Sequence, residues 1–204
     1  MKYIDFHKNF KNFPLISLQD IRLIEPDFSV NRLNEWSQKN LIRKVKPGYY
    51  IFADVKIDEK FLMYLSNNIY SPSYVSLESA FRYYNLIPEG VYVTTAITTK
   101  KTTTIKSDIG TFTYRSIKPE LFFGYNLFDY RNVKLKIADK EKLILDYLYL
   151  NRYITKESIS SMRLNKEELL IGFDMNKLDK YLEIFDNKEL IKRVKIFKNY
   201  LAND

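Results

Sequence analysis

FSVNRLNEWSQKNLIRKVKPGYYIF, residues 28 to 52, holds a short polar-faced helix that runs without a linker into a basic two-stranded hairpin. Val30, Leu33, Trp36 and Leu41 fall near one side at about 100° per residue, so they form the expected buried stripe. Asp27 or Ser29 is the expected N-cap. Asn31, Asn34, Glu35 and Gln38 take the opposite face, flanked by Arg32 and Lys39. Asn40 tolerates the left-handed dihedrals that end a helix, and Leu41 to Val45 then reads as a strand. Lys46, Pro47 and Gly48 supply a turn, and Tyr49 to Phe52 returns as the second strand. This is the order of a winged helix-turn-helix, which offers one helix to a DNA groove while the hairpin's cations reach phosphates.

The residue types suit that role. Asn and Gln pair bidentately with adenine, Glu accepts from the cytosine amino group, and Arg32, Lys39, Arg43, Lys44 and Lys46 suit phosphates, with Tyr49 beside them. An ordinary solvated helix carries the same side chains, so the helix alone decides nothing. The hairpin shifts the balance, because from Phe28 to Ala53 those cations are opposed by Glu35 alone.

Upstream, Tyr3 to Asn12 has apolar groups near helical spacing and is stopped by Pro14. Ser17 followed by Asp20 marks the start of a second helix, closed by Pro26. The single histidine, His7, is expected to be partly buried in the first helix.

The chain has 204 residues, 46% of them hydrophobic, which is ample for a core. There is no cysteine, the first residues lack the basic-then-apolar run of a signal peptide, and no apolar run reaches the roughly 18 to 20 residues that span a bilayer. A cytoplasmic, non-membrane protein is expected. The net charge of +8 fits a nucleic-acid partner, but Lys, Asn, Ile, Tyr and Phe are also what AT-rich codons favour. Only the placement of charge discriminates.

Beyond Asp54, Phe61, Leu62, Leu65 and Ile69 space a helix, and Asn67 to Ser73 reads as a loop. Ser76 is the expected cap of a helix over Leu77 to Tyr84, ended by Asn85. Val91 to Thr99, Thr102 to Lys106, Gly110 to Ile117 and Val133 to Ile137 read as strands. Asp139 to Leu150, Thr155 to Met162, Asn165 to Ile171, Asp174 to Phe185 and Asn187 to Leu201 read as helices. The expected class is α+β: an N-terminal winged helix-turn-helix (1–55), a connecting helix and loop (56–73), and a larger mixed domain (74–204) with an antiparallel sheet and a helical C-terminus.

Lys100, Lys101, Lys106, Arg115 and Lys118 concentrate positive charge on the predicted strands, either as a contact surface or as a lysine-blunted sheet edge. In the last helix Lys188, Lys192 and Lys195 lie opposite a stripe of Leu190, Ile191, Val194 and Phe197. With one histidine, neither a Ser/His/Asp triad nor a histidine-rich metal site is expected, and there is no phosphate-binding glycine motif. Asp58 with Lys60 and Asp186 with Lys188 have the spacing of a carboxylate-lysine nuclease but sit at predicted helix starts. No catalytic residue, metal or cofactor is expected. A nucleic-acid-processing enzyme and a protein-interaction module remain the alternatives.

Three segments carry a family resemblance: LIRKVKPGYYIF (41–52), YVSLESAFRYYNLIPEGVY (74–92) and GTFTYRSIKPELFFGY (110–125). Together they resemble the AbiEi family of antitoxins over roughly residues 15 to 150. The resemblance implies a type IV toxin-antitoxin protein of bacterial phage defence. It would repress its own operon by binding double-stranded DNA at inverted repeats. Its C-terminal part would counteract a nucleotidyltransferase-like toxin without a stable complex, and Lys100, Lys101, Lys106, Arg115 and Lys118 are the candidate antitoxin surface.

Overall fold

Ser17 and Asp20 close a reciprocal cap: the Asp20 amide donates to Ser17 Oγ at 3.1 Å and the Ser17 amide to Asp20 Oδ2 at 2.8 Å. This fixes the start of α2 (Leu18–Ile24) immediately after the two-residue strand β1 (Ile16–Ser17). The computed structural model describes residues 1–90 and 92–202. α1 (Tyr3–Phe10) precedes β1, and α3 (Asn31–Gln38), β2 (Ile42–Lys46) and β3 (Tyr49–Phe52) follow α2. Asn40 has φ +53°, and the Leu41 amide reaches back to the Trp36 carbonyl at 2.9 Å, so the helix stops where Asn allows it to. Neither Asp27 nor Ser29 caps α3: Val30 stands at its N-cap, without a side-chain bond. The three strands form a sheet in the order β1-β3-β2.

The hairpin is buried on both faces. Ile42, Tyr50 and Phe52 pack on Phe6, Phe10, Leu33 and Trp36 of the N-terminal helices. Val45 and Ile51 pack instead on Phe61, Leu65, Phe112 and Tyr114 of the following structure. His7 is exposed rather than half-buried, with its ring edge-on to Phe52 at 5.0 Å.

The remaining chain builds α4 (Glu59–Ile69), β4 (Ser73–Val75), α5 (Leu77–Tyr83), β5 (Val93–Thr98), β6 (Thr103–Ser107), β7 (Gly110–Ser116), β8 (Tyr125–Tyr130) and β9 (Val133–Ala138). The helices α6 (Lys140–Leu150), α7 (Lys156–Ser161), α8 (Lys166–Leu170), α9 (Met175–Phe185) and α10 (Lys188–Ala202) complete it. Helices thus lead, sheets follow and helices close the chain. Val91, the expected first residue of a strand, lies outside the described residues.

The second sheet is mixed, not antiparallel as expected. Its order is β6-β7-β5-β4-β9-β8, with β5 parallel to β7 and β4 parallel to β9. β7 slips between β5 and β6, so the hairpin partner β6 becomes the edge, an outcome that depends on long-range pairing rather than local pattern. β4 overlaps the expected loop at Ser73 alone, and neither it nor β8 lies where a strand is expected. Both are short or irregular in apolar spacing, and their register is set by β5 and β9. On one face Ala96, Phe112 and Tyr114 meet α4 and the hairpin; on the other Ile97 joins the main core with α5, α6 and α10.

Asp58 ties α4 to the far edge of this sheet. It accepts from the Phe61 amide at 2.8 Å and from the Tyr130 hydroxyl at 2.8 and 2.9 Å, with Arg131 Nη2 at 3.2 Å. Burial opposes its charge, but the Phe61 amide, the Tyr130 hydroxyl and Arg131 outweigh that and hold the carboxyl below its usual range. Burial and then the carboxylate push the Tyr130 hydroxyl up to about 12. A depressed carboxylate contributes stability that is present above its unfolded pKa of about 3.9 and lost as pH falls through the lower folded value. Asp58→Ala should cost about 0.5–2 kcal/mol in urea denaturation at pH 7, and the gap to wild type should narrow below about pH 3.9. Equal stability at pH 7 would contradict the capping argument.

Candidate nucleic-acid interface

α3 exposes Asn31, Asn34, Glu35, Gln38 and Lys39, while Leu33 and Trp36 are buried beneath them. Arg32 is half-buried and donates to the Met1 carbonyl, so its guanidinium is already engaged.

A β-bulge divides the hairpin's cations. Arg43 pairs across the ladder with Ile51 and Lys44 with Tyr50, but Lys46 pairs with Tyr49, leaving Val45 as the extra residue. The bulge therefore puts Lys46 on the face of Arg43 instead of the face of Lys44. Arg43 Nη2 donates to the Asp108 carbonyl at 3.2 Å, in the turn between β6 and β7. Lys46 lies 4.6 Å from the centroid of the half-buried Tyr49 ring, and burial, with Lys100 nearby, lowers its pKa. Lys44 is exposed and shares the face of Tyr50, which packs with the α3 core. The free polar surface is thus the outer face of α3 together with Lys44.

The expected basic patch on the second sheet is also divided. Lys100 sits over the Tyr70 ring at 5.3 Å, and the Tyr70 hydroxyl donates to the Lys101 carbonyl at 3.1 Å. Lys101 and Lys106 are exposed, the latter on the edge strand β6. Arg115 and Lys118 line a different recess, with Tyr149 and Arg152 at the end of α6. In α10 Lys188, Lys192 and Lys195 face solvent as expected, but Ile191 is half exposed (51%) and Arg193 takes its place among the buried residues. The sequence signal for Arg193 is a cation beside Val194 and three residues after Leu190, inside an apolar stripe.

The other dense cluster of charge is closed to solvent. Lys142 and Asp146 are both 0% exposed and paired, and Asp146 Oδ2 accepts from the Tyr74 and Ser76 hydroxyls, each at 2.9 Å. Lys142 Nζ also donates to the Tyr74 oxygen at 2.7 Å and lies 5.2–5.3 Å from the ring centroids of Tyr74, Phe123 and Phe185. Burial lowers the lysine pKa and raises that of the aspartate, each against the attraction of its partner. Gly124, at φ +70°, seals the cage: a Cβ there would stand 2.9 Å from Lys142 Cβ and Cγ.

Ser76 consequently does not cap α5. Thr95 does so instead, accepting the Ser79 amide at 3.0 Å on its hydroxyl while its own amide donates to Ser79 Oγ at 2.8 Å. Asp58 is the cap of α4, and Asp186 stands at φ +41° between α9 and α10, so both lie at helix ends. No group of metal-ligating side chains occurs among the described residues, and none of their helices is long and apolar enough to cross a membrane.

No protein-family model and no curated protein matches this chain. Its functional reading rests on the residues themselves.

The buried pair generates a stability test. Asp146→Ala should cost about 3–5 kcal/mol by stranding the Lys142 charge, whereas Lys142→Met with Asp146→Leu should recover most of that loss. Urea denaturation of the two variants decides it; a double variant as unstable as the single one would refute the stranded-charge account.

Proposed function

We propose that the chain is a DNA-binding autorepressor and antitoxin. In this reading α3 and Lys44 recognise inverted repeats in the chain's own promoter, and the remaining structure counteracts a nucleotidyltransferase-like toxin without a stable complex. The observation that carries the DNA half is the N-terminal arrangement. The element order α1-β1-α2-α3-β2-β3, with β1 beside β3, supports a winged helix-turn-helix reading, and the polar face of α3 and Lys44 are each exposed. The antitoxin half rests on the resemblance of residues 74–92 and 110–125 to AbiEi proteins.

Within this reading the DNA-facing groups divide by chemistry. Lys39 and Lys44 are point charges for phosphates, which act through counterion release and carry no sequence information. Asn31, Asn34 and Gln38 have amides that read adenine in the major groove, and Glu35 accepts from the cytosine amino group. Arg43 and Lys46 contribute less than their sequence position implies, because Arg43 donates to the Asp108 carbonyl and the bulge moves Lys46 onto the face of Arg43.

The full-length protein should bind the DNA upstream of its own reading frame with an affinity that falls steeply with salt. Lys39→Ala with Lys44→Ala should flatten the slope of log affinity against log salt by about 0.9 for each phosphate no longer neutralised, on all sequences alike. Asn34→Ala or Gln38→Ala should instead reduce discrimination between operator and mutated operator, by about 1–3 kcal/mol for a good bidentate pair. Fluorescence anisotropy at several salt concentrations measures both. An unchanged salt slope in the lysine variant would remove α3 and Lys44 from the interface.

For the second activity, the toxin is co-expressed with the full chain from a foreign promoter, so that repression has no influence. The lysine variant should protect cells as well as wild type does. Loss of protection at equal protein level would mean that one surface performs both tasks.

A further inference from the structure

Two recesses meet at the end of α6, and their walls are cationic. One, of about 420 Å³, is lined by Tyr149, Arg152, Asn187, Glu189 and Arg193. The other, of about 490 Å³, is lined in part by Arg115, Lys118, Tyr149 and Arg152. They share Tyr149 and Arg152 and therefore adjoin, forming a cationic trough with Arg115 and Lys118 at one end and Asn187 and Arg193 at the other.

Arg193 is the telling residue. It is 8% exposed, its Nη1 donates to the Arg152 carbonyl at 3.2 Å, and its Nε has no hydrogen-bond partner. Among the described residues no carboxylate forms an ion pair with Arg193, Arg152 or Arg115; Glu189, on the same wall, turns to Lys192 at 2.8 Å. A buried guanidinium without a counter-ion is costly, so a fold retains one where an anion completes it. Burial pushes against the charge, and Arg152 adds to that push while Glu189 opposes it. The start of α10 points the same way. Asn187 Oδ1 accepts the Leu190 amide at 2.9 Å, which brings the positive end of this fifteen-residue helix to the wall where Asn187 lies.

The trough also has an aromatic wall. Tyr149 is held edge-on to Phe185 at 5.3 Å and lines both halves. Each half lies in the size range of small-ligand sites, roughly 300–1,000 Å³. Arginine forks match phosphate oxygens bidentately, and an aromatic ring beside them suits a base.

We propose that this trough binds a nucleotide phosphate, with Arg193 and Arg152 gripping the phosphate, Arg115 and Lys118 extending the cationic wall, and Tyr149 meeting the base. The phosphate belongs either to a free nucleotide or to a phosphorylated nucleic-acid end, and the chemistry of the grip is the same. This site is separate from α3 and does not depend on DNA binding there.

The test is isothermal titration of the full-length protein with ATP, with inorganic phosphate and with a 5′-phosphorylated RNA octamer, alongside thermal melts. At least one nucleotide probe should bind, and inorganic phosphate should compete with it. Binding of ATP assigns a free nucleotide; binding of the RNA but not ATP assigns a phosphorylated end. Arg193→Met and Arg152→Ala should each weaken binding by about tenfold or more, while Lys8→Ala, at an exposed position of α1, should leave it unchanged. Arg193→Met should melt no lower than wild type without ligand, because it removes an uncompensated charge and keeps an apolar stem. The probe should raise the wild-type melting temperature and leave that of Arg193→Met unmoved. If Arg193→Met fails to fold, the exposed Arg152→Ala and the half-buried Arg115→Ala carry the same comparison. Failure of every probe to bind wild type at millimolar concentration, or wild-type affinity in the Arg152 and Arg193 variants, overturns the proposal.

Discussion

A two-stranded hairpin with apolar groups on both faces must be covered on both, and in this chain that requirement joins everything else. Ile42, Tyr50 and Phe52 complete the N-terminal helical core, while Val45 and Ile51 are covered by α4 and the inner face of the second sheet, with Leu15 beside them. Burying a large aliphatic side chain is worth about 1.5–3 kcal/mol, so separating the two halves through the α4 segment would expose several such groups at once. α4 is correspondingly a buried element rather than a tether, with Phe61, Leu65 and Ile69 directed into the shared core. The α3 surface is therefore held at a fixed attitude to the six-stranded sheet.

The same constraint determines which cations remain free. Covering the hairpin's second face brings Arg43 to the Asp108 carbonyl and Lys46 beside Lys100, so charges that a linear reading gives to one tip are spread over an interface. Without the bulge at Val45, Lys46 would share the face of Lys44 and the exposed charge would double. A single inserted residue thus decides between an internal contact and a solvent-facing cation.

Local chemistry is legible wherever a backbone end has to be satisfied by its neighbour. Ser17 with Asp20, Asn40 and Asn85 in left-handed dihedrals, and the caps Asp139, Thr155, Asn165 and Asp174 all act within a few residues of where they stand. Local pattern misses what the chain decides at long range. β7 entering beside β5 is fixed by pairing partners many residues apart, and β8 has no apolar alternation to announce it. Ser76 reads as a cap because Ser before a helix usually is one, but Asp146 lies within reach, and a buried carboxylate competes for the hydroxyl more strongly than an amide that Thr95 can serve. For the α3 face and the hairpin, the residues are legible but their availability is not, since Arg32 and Arg43 each donate to a backbone carbonyl distant in sequence.

Residues 74–92 and 110–125 hold buried polar groups of this fold in place. Ser76 and Ser79 in SLESA bind Asp146 and Thr95, Leu77 holds a left-handed φ of +57° while buried, and Tyr114 in GTFTYR donates to the Ser66 carbonyl at 2.9 Å to dock the sheet on α4. A motif of this kind specifies a scaffold, because its polar members satisfy buried groups that would otherwise be stranded. Arg115 is the exception. It closes the same motif, but it makes no ion pair among the described residues, and neighbouring register with Ile97 turns it to the sheet face opposite Tyr114. A residue that belongs to a packing motif yet faces a recess with Arg152 is placed by the scaffold without being used by it, so the stable core and the cationic trough are built by alternate residues of one strand.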